Sequence, residues 1–383
     1  MESPVPESTV RLLLALLVVV TAAPVSADTT FSLESVDTRN DVGEYLWLAV
    51  DDQGRPHLSY YDRTNGALRF AVRNGSTWNT RAIDGQDGGS DVGGYTFLEF
   101  DPSGNPHIVY YDWTDGDLEH AWREDGVWST ETVDAGGVVG RYGNLRFDAA
   151  GVAHVVYYDE GDGDLEYARN DGTGWQLETV DSDGDVGIKA RMAIDAAGDL
   201  HAAYYDATNT ALRYARRRGA EWEVVTVDDG GGQDVGSYAS IALDPEGRPW
   251  ITHYNATAGN PEIAIPSRSG FTSQVIDTAP GQRGWFTSLR FDPGGRPVVA
   301  YFDLTQRKPV LARRVNGTWQ VGFVEPTRDE GPHVGLWILD DTTAHIAFYN
   351  ESRQSLRYGE TLLPVATETT SMGGLRARFG GVD

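Results

Sequence analysis

Aspartates, histidines and tyrosines at recurring positions are the side chains through which this chain could do chemistry. Asp181, Asp183 and Asp185, in the run Asp-Ser-Asp-Gly-Asp, offer hard oxygen ligands suited to Ca2+. The run departs from an EF-hand loop, because its glycine comes early and no glutamate stands at the twelfth place. Asp41, Asp91, Asp185 and Asp234 each precede Val-Gly, and aspartate with glycine also simply builds turns. His57, His107, His154, His201 and His345 each stand three residues ahead of an aromatic pair. Ligation would need several imidazoles within about 2.1 Å of one ion, which a slot repeated around a molecule does not give. Buried hydrogen-bond partners suit that slot better. A third set is Tyr45, Tyr95, Tyr142, Lys189 and Tyr238, with Arg191, Arg283 and His333 nearby in register. Flat aromatic faces stack on the C–H surfaces of sugars, and guanidinium groups grip carboxylates bidentately.

These side chains are positioned by an internal repeat. DDQGRPHLSYYD from Asp51 recurs as DPSGNPHIVYYD from Asp101, DAAGVAHVVYYD from Asp148 and DAAGDLHAAYYD from Asp195. Looser copies start at Asp244, Asp292 and Asp340, which makes seven units. Each reads as four strands, because short apolar alternating runs are divided by turn residues. In the second unit they are residues 95–100, 106–111, 117–123 and 127–133, separated by Asp-Pro-Ser-Gly, Thr-Asp-Gly and Asp-Gly. The fold class is therefore all-β: a seven-bladed β-propeller of four-stranded antiparallel blades. The seventh unit supplies three strands and then loses the pattern. FSLESVD, residues 31–37, matches the fourth-strand pattern WSTETVD, residues 128–134. The N-terminal strand is thus expected to complete the last blade and close the ring.

The innermost strand of each blade decides what lines the channel. Counting back from its closing aspartate, positions one and three are apolar and variable residues alternate with them. Position two holds Ala49, Glu99, Arg146, Ala193, Ala242, Arg290 and Ile338; position four holds Trp47, Phe97, Asn144, Arg191, Ser240, Ser288 and Leu336. Position six, nearest the mouth, holds Tyr45, Tyr95, Tyr142, Lys189, Tyr238, Phe286 and Val334. The long inter-blade links should share the mouth face, where binding is expected. Glu99 and Arg146, on adjacent blades, can pair and simply fill the channel.

Composition removes several function classes. With no cysteine there is no disulfide framework, thiolate metal site or cysteine nucleophile. A balance of 31 basic against 57 acidic residues, net charge -26, repels phosphate backbones and argues against nucleic acid as partner. Arg11 precedes the apolar run of residues 12–20, and Val25-Ser26-Ala27 has the small-residue pattern of a cleavage site. Residues 1–27 therefore read as a signal peptide, giving a secreted or extracytoplasmic protein with no membrane insertion after cleavage. Residues 28–363 form the propeller and 364–383 a tail, and the protein is expected to be a monomer.

The D-x-x-G-x-P-H-x-x-Y-Y-D unit resembles the bacterial secreted propellers with sialidase-like or BNR-like repeats, and loosely the NHL blades with their D-x-x-G-N turn. The likeness runs from residue 31 to about 360 at the level of the repeat. The Asp-box S-x-D-x-G-x-T-W of sialidases does not occur, so the resemblance implies fold and export and carries over no catalytic residue. The functional expectation is a binding module for a glycan, or another extracellular ligand, at the channel mouth. Its ligand residues would be Tyr45, Tyr95, Tyr142, Lys189, Arg191, Tyr238, Arg283 and His333. The alternatives are a polysaccharide lyase or glycoside hydrolase acting on an acidic polysaccharide, with His333 or Tyr142 as base, or a protein-interaction platform. No cofactor is required, with Ca2+ the one ion the loops suggest.

Overall fold

The computed structural model describes residues 32–85, 88–324, 331–340 and 343–362. The segments read as signal peptide and tail lie outside them. Among the described residues, 28 strands form seven four-stranded antiparallel sheets. In six of the sheets the four strands are consecutive in sequence; in the seventh the order is Ser32–Asp37, Ser355–Leu362, Thr343–Asn350, Val334–Ile338. The N-terminal strand pairs with the last strand from Ser32 opposite Glu360 to Asp37 opposite Leu356, closing the ring.

In six blades an Asp-x-x-Gly turn joins the first strand to the second. Asp51 accepts the backbone N–H of Gln53 at 3.0 Å and of Arg55 at 2.8 Å, and Asp101, Asp148, Asp195, Asp244 and Asp292 repeat the arrangement. Pairing two donors with one carboxylate fixes the reversal between the first and second strands. The histidines serve the same corner. His57 Nε2 lies 2.9 Å from Asp51 Oδ2, and His154 Nδ1 lies 2.7 Å from the Tyr167 hydroxyl. His107 is pressed against His120 at 2.9 Å. Burial holds the His107 ring well below the ordinary range, at about 4, with the neighbouring His120 acting in the same direction.

Two sets of tyrosines fasten blade to blade. The first tyrosine of each pair donates to the aspartate ending the previous blade's fourth strand: Tyr60 to Asp37 at 2.8 Å, Tyr110 to Asp84 at 2.7 Å, Tyr157 to Asp134 and Tyr204 to Asp181 at 2.6 Å, and Tyr301 to Asp277 at 2.7 Å. The second tyrosine reaches forward to the next blade's Asp-Val-Gly: Tyr61 to Asp91, Tyr158 to Asp185, Tyr205 to Asp234 and, across the closure, Tyr349 to Asp41 at 2.6 Å. The glycine of that motif permits close approach. A Cβ on Gly93, at φ +102°, would stand 2.7 Å from Leu68 Cα of the preceding blade.

Inner strands are longer than their apolar runs suggest, Val92–Phe100 instead of 95–100. The extra residues contain two register shifts, between Val92 and Gly94 and between Gly94 and Phe97. These bulges interrupt the alternation from which the strand was read. They also aim the next residue into the mouth.

The channel mouth as candidate binding site

Tyr45, Tyr95, Tyr142, Lys189, Tyr238 and Phe286 all adopt the left-handed conformation, with φ between 50° and 60°. That conformation is uncommon for bulky residues, and here the paired bulges impose it at the same point of six blades. The seventh member of the ring is His333. Trp337 lies opposite His345 as Glu99 lies opposite His107, so the seventh blade runs one residue out of step with its aspartate. Position six is therefore His333, not Val334, position four is Gly335, not Leu336, and position two is Trp337, not Ile338. The count from Asp340 failed because this inner strand is only Val334–Ile338 and ends before that aspartate.

The ring packs by tilted and edge-to-face contacts around the mouth. Centroid separations are 4.4 Å for Tyr142–Tyr95, 4.5 Å for Tyr95–Tyr45, 4.8 Å for Tyr45–His333, 4.7 Å for His333–Phe286 and 4.6 Å for Phe286–Tyr238. Lys189 Nζ sits 3.6 Å from the Tyr238 ring centroid. Among the described residues no ring contact joins Lys189 to Tyr142, so the ring is discontinuous there. A cavity of about 290 Å3 lies inside it, with Trp47, Arg191, Thr287 and Ser288 among its deeper walls.

Below the ring, the channel is filled by cations on aromatics. The Arg191 guanidinium lies 5.3 Å from the Trp47 ring, Arg290 lies 5.7 Å from Trp47 and 5.6 Å from Trp337, and Arg146 lies 4.7 Å from Phe97. Arg146 donates to Glu99 at 2.6 Å. Arg191 and Arg290 each donate to a backbone carbonyl, and neither these two nor Lys189 forms an ion pair among the described residues. Burial and the charge of Arg191 bring the Lys189 ammonium down to about 8. Burial, then the charge of Arg146, brings Arg191 to about 10, still fully charged at neutral pH. His333 is pushed by burial to about 3 and is neutral. The tyrosines Tyr45, Tyr142 and Tyr238 are held above their ordinary range, mainly by burial.

The structure thus gathers seven of the eight residues expected to bind ligand: Tyr45, Tyr95, Tyr142, Lys189, Arg191, Tyr238 and His333. Arg283 is elsewhere. It forms ion pairs with Asp277 at 2.6 Å and Asp303 at 3.0 Å, because it occupies the buried Val slot of the Asp-Val-Gly motif. Arg141, at the rim, pairs with Glu160 at 2.7 Å. Asp181 accepts from Tyr204 and lies 3.4 Å from Arg213, Asp185 accepts from Tyr158, and the Asp183 side chain is 89% exposed. Two further tryptophans shape the rim: Trp113 lies 5.0 Å from Tyr61 and 5.6 Å from Tyr45, and Trp285 stacks on Tyr238 at 5.3 Å. Both occupy slots that vary between blades, the one signal the sequence carries for them.

No protein-family model matches this sequence, and no curated protein matches it. Its likeness is to solved structures. An ulvan lyase of a polysaccharide lyase family matches with a TM-score of 0.61 at 13% identity over 83% of this chain and 91% of that one. AofleA from Arthrobotrys oligospora matches at 0.50 and 11% over 77% and 90%. A sialidase, Hz136, matches at 0.49 and 13% over 80% and 76%. The chain shares a fold with distant propellers. At these identities the likeness extends to the fold alone.

Proposed function

We propose that the protein is exported and acts as a binding module for a glycan bearing a carboxylate or another anionic group, taken at the channel mouth. The observation carrying this reading is the discontinuity between Tyr142 and Lys189, where unpaired Lys189 and Arg191 underlie a ring of aromatic faces. A chain of net charge -26 that buries unneutralised cations at this cavity holds them at a cost in stability, which an anionic ligand offsets. The cavity volume, about 290 Å3, is at the low end of ligand pockets and suits one sugar ring.

The ulvan lyase shares the fold, and a lyase reading would require a base at the mouth. His333 is a weak base, since burial takes its conjugate acid to about 3. Tyr142 is held in its neutral form. Binding without turnover is therefore the preferred reading. A panel of acidic and neutral glycans, screened with and without EDTA and assayed for unsaturated products, tests it. Acidic glycans should bind and remain intact, and Arg191→Met and Tyr142→Phe should weaken that binding with the fold retained. Equal binding of the neutral counterparts, or product release, would overturn it.

A further inference from the structure

Two seams lack a tyrosine that fastens the other five: the seventh blade has Phe348 in its place, and the seam between the fourth and fifth blades has a histidine. In five seams a tyrosine donates to the aspartate ending the preceding blade. At the corresponding place in the fifth blade stands His253, cross-strand from Glu262 and facing Asp228. Asp228, His253 and Glu262 are not among the residues that form the channel mouth.

How the other seams balance their carboxylates shows what is missing here. Arg69 neutralises Asp37 and Asp62, Arg213 neutralises Asp181 and Asp206, and Arg283 neutralises Asp277 and Asp303. Where Glu119 and Glu166 take the place of Arg69, burial raises each to about 7, and each accepts a threonine hydroxyl or lies beside one. This seam has two carboxylates, Asp228 and Glu262, and no arginine pairs with either among the described residues. His253 is fully buried, and neither ring nitrogen has a hydrogen-bond partner. Its Nε2 lies 3.9 Å from Asp228 Oδ2, and the neighbouring Tyr254 backbone falls short of hydrogen-bond geometry. Leaving a buried imidazole unsatisfied costs about 1–3 kcal/mol.

We propose that Asp228, His253 and Glu262 bind a divalent transition-metal ion, of the Zn2+ or Co2+ kind, at this seam. One ligand atom from each lies within 4.8 Å of the others. Tetrahedral ligands on bonds of roughly 2.0–2.1 Å stand about 3.3 Å apart, so a modest contraction, chiefly of the long Glu262 side chain, completes the set. An imidazole between two carboxylates favours such ions over Ca2+ or Mg2+, which take oxygen ligands. Outer partners orient the set: Asn255 donates to Glu262 Oε1 at 2.9 Å, Ser273 donates to Asp228 Oδ2, and the Gly230 N–H donates to Asp228 Oδ1 at 2.9 Å. An open depression lined by Thr226, Asp228, Asp229 and Ser273 gives an entry path and room for a water as fourth ligand.

The test uses the untagged chain, stripped with chelator and titrated with Co2+, whose visible absorption reports a tetrahedral site, with Zn2+ as competitor. One Co2+ per chain, displaced by Zn2+, is expected. Two variants separate ligation from folding. His253→Tyr restores the tyrosine–aspartate contact of five other seams and should fold while losing the absorption. Glu262→Gln should weaken Co2+ binding by more than the roughly 10–100-fold typical of losing an outer partner. A wild-type chain that takes up no Co2+ would overturn the proposal, as would either variant binding like wild type while folded. Lys189→Met, at the mouth, should leave Co2+ binding unchanged, so the metal site and the glycan reading fail or stand separately.

Discussion

Replacing Lys189 by methionine should make the protein more stable while weakening its hold on an anionic ligand. The lysine is the only member of the ring bearing a formal charge, and it has no ion-pair partner among the described residues. Its fall from the ordinary 10.5 to about 8 corresponds to ~3 kcal/mol of preference for the neutral form in the folded state. The cation–π contact with Tyr238 at 3.6 Å returns ~1–2 kcal/mol, and partial access to water trims the cost further. Methionine, similar in length and uncharged, should therefore gain ~1–2 kcal/mol near neutral pH. The pH dependence carries the sign. Below about pH 8 both folded and unfolded chains hold the proton, and the folded chain bears the full cost. Between about pH 8 and 10.5 the unfolded lysine binds more proton than the folded one, so wild-type stability rises relative to the variant. Urea denaturation of both proteins near pH 7 and pH 9.5 measures this as a narrowing gap. A variant less stable than wild type near pH 7, or a gap that does not change with pH, would refute the reasoning.

Deleting residues 28–38 should abolish cooperative unfolding, because it leaves Ser355–Leu362 as an unpaired edge and removes the Asp37 acceptor of Tyr60; circular-dichroism melts report it. Arg283→Ala should destabilise by about 3–5 kcal/mol, since it strands the carboxylates of Asp277 and Asp303, both buried. Glycan binding should survive where the variant is folded. His107→Ala should cost about 1–3 kcal/mol by leaving His120 Nε2 without its partner while Nδ1 keeps Glu131, read by chemical denaturation, with ligand affinity unchanged.

The ring was legible in the sequence because turn chemistry and apolar alternation recur with the same spacing, and the closing strand because it repeats the WSTETVD pattern. Residues in the bulges were harder to place: two extra residues per inner strand break the period of two, so the strand starts at Val92 and not Tyr95. The slip of the seventh blade has a related cause. An aspartate one residue late looks the same in sequence as one in register, and only the pairing of Trp337 with His345 separates them. Arg283 shows a different limit. It stands where four other blades have the buried valine of Asp-Val-Gly, and its guanidinium meets the carboxylates of Asp277 and Asp303. The aspartates of that motif were ambiguous for a chemical reason, since a carboxylate that clasps a tyrosine carries the same code as one that binds an ion.

The order in which the chain is made bears on the closing strand. Ser32–Asp37 is synthesised before any blade, and its partner Ser355–Leu362 after all of them. At about 5–20 residues per second, the first strand waits roughly 15–65 s for its mate, far longer than the microseconds in which a hairpin forms. Six blades can form in sequence behind it, yet the Tyr349–Asp41 clasp and the last sheet cannot be made until the final strand arrives. The growing molecule is thus an open crescent with a free strand at its tip, and the ring cannot close until synthesis is nearly over.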